Sequence, residues 1–197
     1  MSILLLGGSP AATSGGARLL QHIGDKLALH GHRTTTLHVK DLPAQALLQA
    51  DLLDPAIERA VAQVRSAQAI VIVTPVYKAS YTGLLKAFLD LLPQDGLDGK
   101  LVLPLATGGS QSHMLVLDYA LRPVLASLSP RAILPGIYAT SDQLRWHADT
   151  GLTLDAPIAE RVARGVEQLS SDLLALALPQ QRDARAHAAA ETASIPA

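Results

Sequence analysis

The segment at residues 69–78 constrains the fold more than any other part of this chain. Its first half, AIVIV, is a short apolar run rich in β-branched residues, which is typical of a strand buried on both faces. Its second half, TPVYK, is a loop of mixed apolar and polar character that follows without a break. Ligands of open α/β sheets bind beyond the carboxyl ends of the strands. The segment therefore predicts a buried strand that ends at a ligand site.

Further apolar runs bounded by Gly or Pro alternate with segments of helical length. The predicted strands are residues 3–6, 33–39, 69–73, 101–105 and 133–138, of which the second is the weakest. The predicted helices are residues 16–29, 55–67, 83–92, 113–128 and 157–176. This alternation predicts an α/β fold: a flavodoxin-like five-stranded parallel sheet in the order 2-1-3-4-5, with helices on both faces. Asp54 followed by Pro55 is a typical helix start.

The length of 197 residues suits one domain, which we expect to span residues 1–178. Residues 179–197 have few large apolar side chains, so we expect a flexible C-terminal tail there. Residues 41–54 are rich in Leu and Ala, and the sequence does not decide their structure.

Composition argues against several classes of function. With 16 basic and 17 acidic side chains and no basic block, we expect no nucleic-acid partner. The absence of cysteine excludes disulfides, thiolate nucleophiles and Cys-bound metal clusters, and the seven histidines lack supporting carboxylate spacing, so we expect no metal. No apolar stretch reaches the roughly 18 residues of a membrane span, and no basic leader precedes the first strand, so we expect a cytoplasmic protein.

The loop after the first strand, GGSPAATSGG at residues 7–16, is suited to an anion. Glycines allow close backbone approach, the following helix presents unpaired N–H groups, and Ser9, Thr13 and Ser14 offer hydroxyls. The spacing matches neither the dinucleotide fingerprint nor the P-loop, which favours a mononucleotide. An ordinary strand-to-helix turn with a capping residue is the simpler alternative.

The loops after the third and fourth strands supply the rest of the predicted site. Tyr77 and Tyr81 are conspicuous in a chain with only 3% aromatic residues, and a planar ring could lie against Pro75 and Val76 while backbone groups bind its polar edge. Tyrosine as core filler is the alternative. The turn ATGGSQSH at residues 106–113 offers backbone donors and acceptors without bulk, and its histidine either touches a ligand or begins the next helix.

Pro123 interrupts the fourth predicted helix. It has no N–H, so the carbonyl of Tyr119 loses its helical donor, which is a recognised cause of kinks and π-bulges. We therefore expect an irregular helix near Tyr119.

Three segments are similar to those of the NADPH-dependent FMN reductase family, which has a flavodoxin-like fold. They are GGSP at residues 7–10, TPVYKASYTGLLKAFLDLLP at residues 74–93 and GKLVLPLATGGS at residues 99–110. The likeness extends over residues 3–138 and is strongest to SsuE-like members, the reductase components of two-component alkanesulfonate monooxygenases. The second and third segments are specific, whereas GGSP alone is not.

The resemblance implies a set of FMN-binding residues and a role for the irregular helix. Tyr119 matches an inserted tyrosine in a π-helix that lies beside the flavin at a tetramer interface, which implies a homo-oligomer, either dimer or tetramer. The implied phosphate ligands are Ser9, Ser14, Gly15 and Gly16; the implied flavin-ring contacts are Pro75, Val76, Tyr77 and Lys78 on one side and Thr107, Gly108, Gly109 and Ser110 on the other.

Two positions depart from the family pattern in the first of these loops. The family usually has Arg where this chain has Ala11, and a common hydroxyl is replaced by Gly16. Arg18 is a candidate to compensate for the lost charge. Lys78 is either close to the cofactors or simply a solvated side chain.

The resemblance also implies the reaction: hydride passes from NADPH to FMN, and reduced FMN is handed to a partner monooxygenase of sulfonate-sulfur assimilation. No protein acid or base is required for hydride transfer. Three alternatives stay open on the sequence. They are an NADPH-dependent quinone or azo reductase with tightly bound FMN, a flavodoxin-type electron carrier, and a nucleotide-binding regulatory protein without activity.

Overall fold

A computed structural model describes residues 1–11 and 13–193, with side chains described no farther than residue 177. In chain order the strands are β1 (Ser2–Gly7), β2 (Arg33–His38), β3 (Ala69–Tyr77), β4 (Ser80–Tyr81), β5 (Leu101–Gly108), β6 (Ala132–Ile133), β7 (Ile137–Thr140), β8 (Leu144–His147) and β9 (Gly151–Leu154). The α-helices are α1 (Gly15–Leu29), α2 (Ala44–Gln49), α3 (Pro55–Ser66), α4 (Gly83–Leu89), α5 (Arg122–Ala126) and α6 (Ala156–Ala193).

The main sheet confirms the predicted fold class. Its strands run in the order β2-β1-β3-β5, and β6 and β7 both pair with the outer edge of β5. All of these pairs are parallel. The short β4 is antiparallel to β3, and β8 with β9 forms a separate two-stranded hairpin. Apart from these additions, the sheet has the predicted 2-1-3-4-5 arrangement.

The fifth predicted strand, residues 133–138, is divided in the structure into β6 and β7. Val102 pairs with Ile133 and Leu105 pairs with Ile137, so two residues of β5 face three residues between these pairs. Pro135 lies among those three and has no N–H to donate to a ladder. A proline in an otherwise continuous strand thus produces a bulge, and β7 still ends beside the carboxyl end of β5.

Side chains alternate between the two faces of the sheet and fill two cores. From β1, Leu4 and Leu6 join the core under α3, α4 and the segment around α5, whereas Ile3 and Leu5 join the core under α1 and α6. This alternation is the period of two expected of a strand, and a strand covered on both faces has no polar side. It explains why the central strands β1, β3 and β5 are largely apolar.

Helix starts agree closely with the predictions. The Asp54 carboxylate accepts hydrogen bonds from the N–H groups of Ala56 and Ile57 at 2.8 and 3.3 Å, which confirms the predicted start of α3. Helix α4 ends at Leu89, earlier than predicted, because Leu91 and Leu92 form i→i−3 bonds ahead of Pro93.

The predicted helix at residues 113–128 is wrong as a single regular element, and the predicted irregularity is confirmed. A 3₁₀ turn (Gln111–His113) is followed by a π-helix (Leu117–Leu121) and then by α5. The N–H of Arg122 donates to the carbonyl of Leu117, five residues earlier. Tyr119 stands in the middle of the π-helix, as expected from the proline that follows it.

Two further regions differ from or extend the sequence predictions. Residues 41–54, left open by the sequence, contain α2, and a 3₁₀ turn (Val39–Asp41) replaces the end of the strand predicted over residues 33–39. The last helix, α6, continues past the predicted end at residue 176. The flexible tail expected at residues 179–197 stays a prediction, because the side chains of these residues and the whole of residues 194–197 lie outside the described part. Nowhere in the described part is there a helix with the length and apolar character needed to cross a membrane.

Candidate active site

Three loops meet at the carboxyl ends of β1, β3 and β5, which are neighbours in the sheet. We call them the first loop (residues 8–14), the second loop (residues 74–82) and the third loop (residues 107–113). The strand register places them side by side: Gly7 pairs with Val73, and Pro75 pairs with Thr107. The predicted convergence of the three loops is therefore confirmed by the topology.

The first loop leads into the N-terminus of α1. The Ser14 hydroxyl accepts a hydrogen bond of 3.0 Å from the N–H of Ala17 and so caps the helix. Gly15 and Gly16 are the first two helical residues, whose N–H groups have no partner within a helix. Ser9 is buried, and its hydroxyl accepts from the N–H of Ala11 at 3.2 Å. These donors and the helix dipole together favour an anion.

Gly16 brings the start of α1 close to the ends of two strands. A Cβ at this position would lie 3.2 Å from a methyl group of Val73 and 3.3 Å from the hydroxyl of Thr107. The first and third loops thus adjoin each other across β3. The glycine that departs from the family pattern is suited to this close approach.

The second loop is a tight β-hairpin that the sequence did not predict. Val76 pairs with Tyr81 and Tyr77 with Ser80, which leaves Lys78 and Ala79 as a two-residue turn. Both turn residues have positive φ, 50° and 62° respectively. Such backbone angles are unfavourable for residues with a Cβ and are found mainly where the surrounding structure imposes them. Tyr77, about half exposed, stands directly before this turn.

Thr82 joins the second loop to the first. Its hydroxyl donates to the carbonyl of Gly8 at 2.6 Å and accepts from the N–H of Leu85 at 3.1 Å. Its own N–H donates to the hydroxyl of Thr74 at 3.2 Å. The sequence analysis missed Thr82, although a threonine directly before a helix-starting glycine is a recognisable capping signal.

Tyr138, on β7, is hydrogen-bonded to the third loop. Its hydroxyl donates to the carbonyl of Ser110 at 2.6 Å, and burial raises the pKa of this phenol, so it remains a protonated donor. A Cβ on Gly108 would lie 2.2 Å from the same hydroxyl. Gly109, in contrast, has nothing within 4 Å of its Cβ position and is exposed. The sequence placed Tyr138 only as the end of a strand.

A groove of about 400 Å³ lies between the hairpin turn and the π-helix. Ala79 forms part of one wall, and Tyr119 forms part of the other. Tyr119 is 80% exposed, and Leu115 beside it is 55% exposed. His113, at the end of the 3₁₀ turn, also lines the groove and does not begin a long helix. The structure thus brings Tyr119 next to the second loop.

The hairpin of β8 and β9 packs beside the start of α1 and was also missed by the sequence analysis. Leu144 is buried, and one of its methyl groups lies 3.4 Å from the Cβ position of Gly15. On the same face of the hairpin, the ring of Trp146 lies under the guanidinium of Arg18, 4.1 Å from guanidinium carbon to ring centroid. A cation in the first turn of α1 is therefore held against the β8–β9 hairpin.

Comparisons with known proteins agree with this arrangement. The model of the family described as NADPH-dependent FMN reductase matches residues 1–144. The FMN reductase (NADPH) of Pseudomonas putida is 42% identical over 150 residues, which are 76% of either chain. The FMN reductase (NADPH) of Escherichia coli K12 is 41% identical over 146 residues, 73% of this chain and 75% of that protein.

A solved structure gives the same result. The crystal structure of the NADH:FMN oxidoreductase EmoB in its apo form superposes with a TM-score of 0.79 and 37% sequence identity, covering 87% of this chain and 89% of that one. Because the family model spans most of the chain and two relatives exceed 40% identity, the chain belongs to the NADPH-dependent FMN reductase family.

Proposed function

We propose that FMN binds in the cleft where the three loops meet, that a reduced nicotinamide nucleotide reduces it there, and that reduced FMN then leaves for a partner enzyme. Membership of the family makes the protein an FMN reductase. The observation that carries the proposed site is the meeting of three small-residue loops at the ends of adjacent strands, where ligands of this kind of sheet bind.

The first loop fits the phosphate group of FMN. Gly15 and Gly16 present helix-terminal N–H groups, and Ser9 and Ser14 supply hydroxyls at the same end of α1. The close approach of Gly16 to Val73 and Thr107 keeps side-chain bulk out of this region. These four residues are our proposed phosphate ligands.

The second and third loops fit the flavin ring. Pro75, Val76, Tyr77 and Lys78 would contact one side of it, and the backbone of residues 107–110 the other. Thr107 is buried, whereas Gly109 and Ser110 are exposed and leave room for a planar ligand. Tyr138 and Thr82 would not contact the flavin themselves. They stabilise the third and first loops through hydrogen bonds to the carbonyls of Ser110 and Gly8.

Reduction of bound FMN would take a hydride from the nicotinamide and a further proton from solvent, so the protein would need no general acid or base for this step. Its side chains instead bind and orient the two ligands. Lys78 stands at the exposed tip of the hairpin, where its charge would attract the phosphates of the nicotinamide nucleotide. Of the three relatives named above, two are named as NADPH enzymes and one as an NADH enzyme, and we propose NADPH for this chain.

The exposure of the site supports use of FMN as a substrate. Tyr77, Lys78 and Gly109 are exposed, so the described residues leave the outer side of a bound flavin accessible. A reductase that releases reduced flavin needs such an open site. On this basis, and on the likeness of residues 74–93 and 99–110 to SsuE-like proteins, we propose an FMNH₂-dependent monooxygenase of sulfonate-sulfur assimilation as the partner.

The surface around Tyr119 supports assembly into a homo-oligomer, which we propose to be a dimer or tetramer. Tyr119 and Leu115 line the groove and are more than half exposed, and Met114 and Tyr77, which are close in the chain to groove-lining residues, are each about half exposed. An apolar patch of this kind beside a binding site commonly marks an interaction surface.

The test is nicotinamide oxidation by protein stripped of flavin, with FMN titrated from zero in air. Oxidation of NADPH that saturates with free FMN is the expected result. Oxidation that requires stoichiometric retained FMN and an added quinone would replace the proposal by a quinone reductase. Binding of FMN without any NADPH oxidation would contradict the reductase function and leave an electron carrier or a binding protein.

A further inference from the structure

We infer that Arg18, held against the ring of Trp146, binds the phosphate group of FMN at the mouth of the first loop. The inference rests on the proposed function, because it adds a ligand to the proposed FMN site. It concerns two residues that lie outside the loops themselves, one on α1 and one on the β8–β9 hairpin.

The first loop has no charge of its own to offer a phosphate. Residues 7–16, which include this loop, contain neither Lys nor Arg. A phosphate monoester carries a charge of about −1.5 to −2 at neutral pH. Backbone N–H groups and the helix dipole supply only partial positive charge. Any full positive charge at this loop would come from a side chain outside it.

Arg18 is placed to supply that charge. It stands in the first turn of α1, three residues after Gly15 and therefore on the same face of the helix. Side chains of helical residues point back toward the helix N-terminus, which for Arg18 is the direction of the first loop. Within the described part of the chain, this guanidinium has no carboxylate within 4.0 Å and no hydrogen-bond acceptor.

Trp146 restricts where that guanidinium can lie. Its ring faces α1 because Trp146 and Leu144 share one side of β8, and Leu144 is buried against Gly15. A planar guanidinium stacked on an indole ring keeps its N–H edges free for hydrogen bonds in the plane. Arg145, on the opposite side of the same strand, pairs with Asp155 instead. The hairpin therefore presents one arginine to an anion and holds another in an ion pair.

The sharpest test compares FMN with riboflavin, which has the same ring system and lacks the phosphate. Dissociation constants of both are measured by flavin fluorescence with wild type, Arg18→Gln and the matched control Arg145→Gln. We expect Arg18→Gln to weaken FMN binding about tenfold, the loss expected for one charge-assisted contact, and to leave riboflavin binding unchanged. Arg145→Gln should change neither constant. Added salt should weaken FMN binding less in Arg18→Gln than in wild type.

A second set of variants tests the role of Trp146 as a positioning residue. Trp146→Ala should weaken FMN binding less than Arg18→Gln does, and Trp146→Phe should restore most of the loss because a ring is still present. In the Arg18→Gln background, Trp146→Ala should have no further effect on the FMN constant, since its influence acts through the guanidinium. Additive losses in the double variant would contradict this role.

Several outcomes would overturn the inference. Equal weakening of FMN and riboflavin by Arg18→Gln would indicate a structural role, and no change in either would show that Arg18 does not contact the phosphate. A rise in KM for NADPH with unchanged FMN affinity would assign Arg18 to the other nucleotide. Arg18→Lys keeps the charge and should retain part of the FMN affinity. This result would show that the loss in Arg18→Gln comes from the missing charge and not from a folding defect. Failure of wild type to bind FMN at all would instead overturn the proposed function.

Discussion

The hydroxyl of Tyr138 and the carbonyl oxygen of Ser110 lie 2.6 Å apart in a hydrogen bond that fixes the third loop over the end of β7. The bond passes so close to Gly108 that a Cβ there would lie 2.2 Å from the hydroxyl. A buried phenol therefore determines the path of an exposed loop. This relationship separates two adjacent glycines that look equivalent in the sequence.

Gly108→Ala should disturb the third loop, whereas Gly109→Ala should not. We expect Gly108→Ala to lower the free energy of unfolding by about 1–3 kcal/mol, the usual cost of overpacking, and to weaken FMN binding. Gly109 has no heavy atom within 4 Å of its Cβ position and is the matched control. Chemical denaturation and flavin fluorescence measure the two effects.

Removing the hydroxyl of Tyr138 tests whether it causes the effect of Gly108→Ala. Combining Gly108→Ala with Tyr138→Phe takes away the clashing hydroxyl. The loss in the free energy of unfolding should therefore be smaller in the double variant than the sum of the losses in the two single variants. Strictly additive losses would contradict the contact between Gly108 and Tyr138 as the source of the effect.

Thr82 should couple the second loop to the first. Thr82→Val keeps the shape of the side chain and removes a buried hydroxyl that donates to Gly8 and caps α4. Because the carbonyl of Gly8 then loses its partner, we expect a loss of about 1–3 kcal/mol in the free energy of unfolding and weaker FMN binding. Thr82→Ser retains the hydroxyl and should stay close to wild type in both measurements. A loss in Thr82→Ser as large as that in Thr82→Val would contradict the hydroxyl as the source of the effect.

Much of the architecture could be predicted because its signals are local. Continuous apolar runs ending in Gly or Pro predicted the strands of a sheet covered on both faces, and Asp54 with Pro55 predicted a helix start. The carboxyl ends of parallel strands lie at one edge, so three loops could be placed together without coordinates. Pro123 predicted an irregular helix for a covalent reason.

The parts that were missed depend on contacts between distant residues or on unusual backbone angles. The bond from Tyr138 to Ser110 and the stacking of Arg18 on Trp146 join segments far apart in the chain, and neither leaves a periodic pattern. The β4 hairpin turns at Lys78 and Ala79, whereas the usual signal for positive φ is Gly, Asn or Asp. A turn imposed by its surroundings carries no such signal in its sequence.

Lys78 should act on the nicotinamide nucleotide more than on FMN. We expect Lys78→Ala to raise KM for NADPH about two- to fivefold, the range for one exposed charge interaction, with a smaller change in FMN affinity. Lys78→Gly removes the same charge but suits the positive φ of 50° at this position. Equal rises in KM for the two variants would assign the effect to charge. A rise in KM for NADPH in only one of the two variants would assign the effect to the turn. Equal changes in KM for NADPH and in FMN affinity would remove Lys78 from the nicotinamide-nucleotide site.

His32 should make stability depend on pH. Its imidazole is buried and lies 3.0 Å from the Ser170 hydroxyl, and burial, together with the positive charges of the N-terminus and His30, lowers its pKa below the ordinary 6.5. Because this pKa is lower in the folded state, His32 of the unfolded chain is protonated at a higher pH than His32 of the folded protein. The stabilising contribution is therefore present above pH 6.5 and is lost as the pH falls below it.

Chemical denaturation between about pH 7 and pH 5 measures this dependence. One titrating group contributes at most about 1.4 kcal/mol per pH unit. His32→Gln keeps a hydrogen-bonding side chain without the titration, so its stability should change less over this range. A residual slope from His22, whose pKa is also lowered by burial, should be the same in both proteins. Identical pH dependence of wild type and His32→Gln would contradict the prediction.

Tyr119 should control assembly without contributing much to the stability of one chain. Its side chain is 80% exposed on the π-helix, so Tyr119→Asp removes few contacts within the chain. In an interface between copies, the same change would bury an unpaired charge, at a cost of about 2 kcal/mol or more. Light scattering over a range of protein concentrations should show the variant dissociating where wild type remains assembled. Leu53→Asp is the control, because Leu53 is 91% exposed on a different surface and its variant should keep the wild-type mass. A monomeric wild type, or dissociation by Leu53→Asp alone, would place no interface at the π-helix.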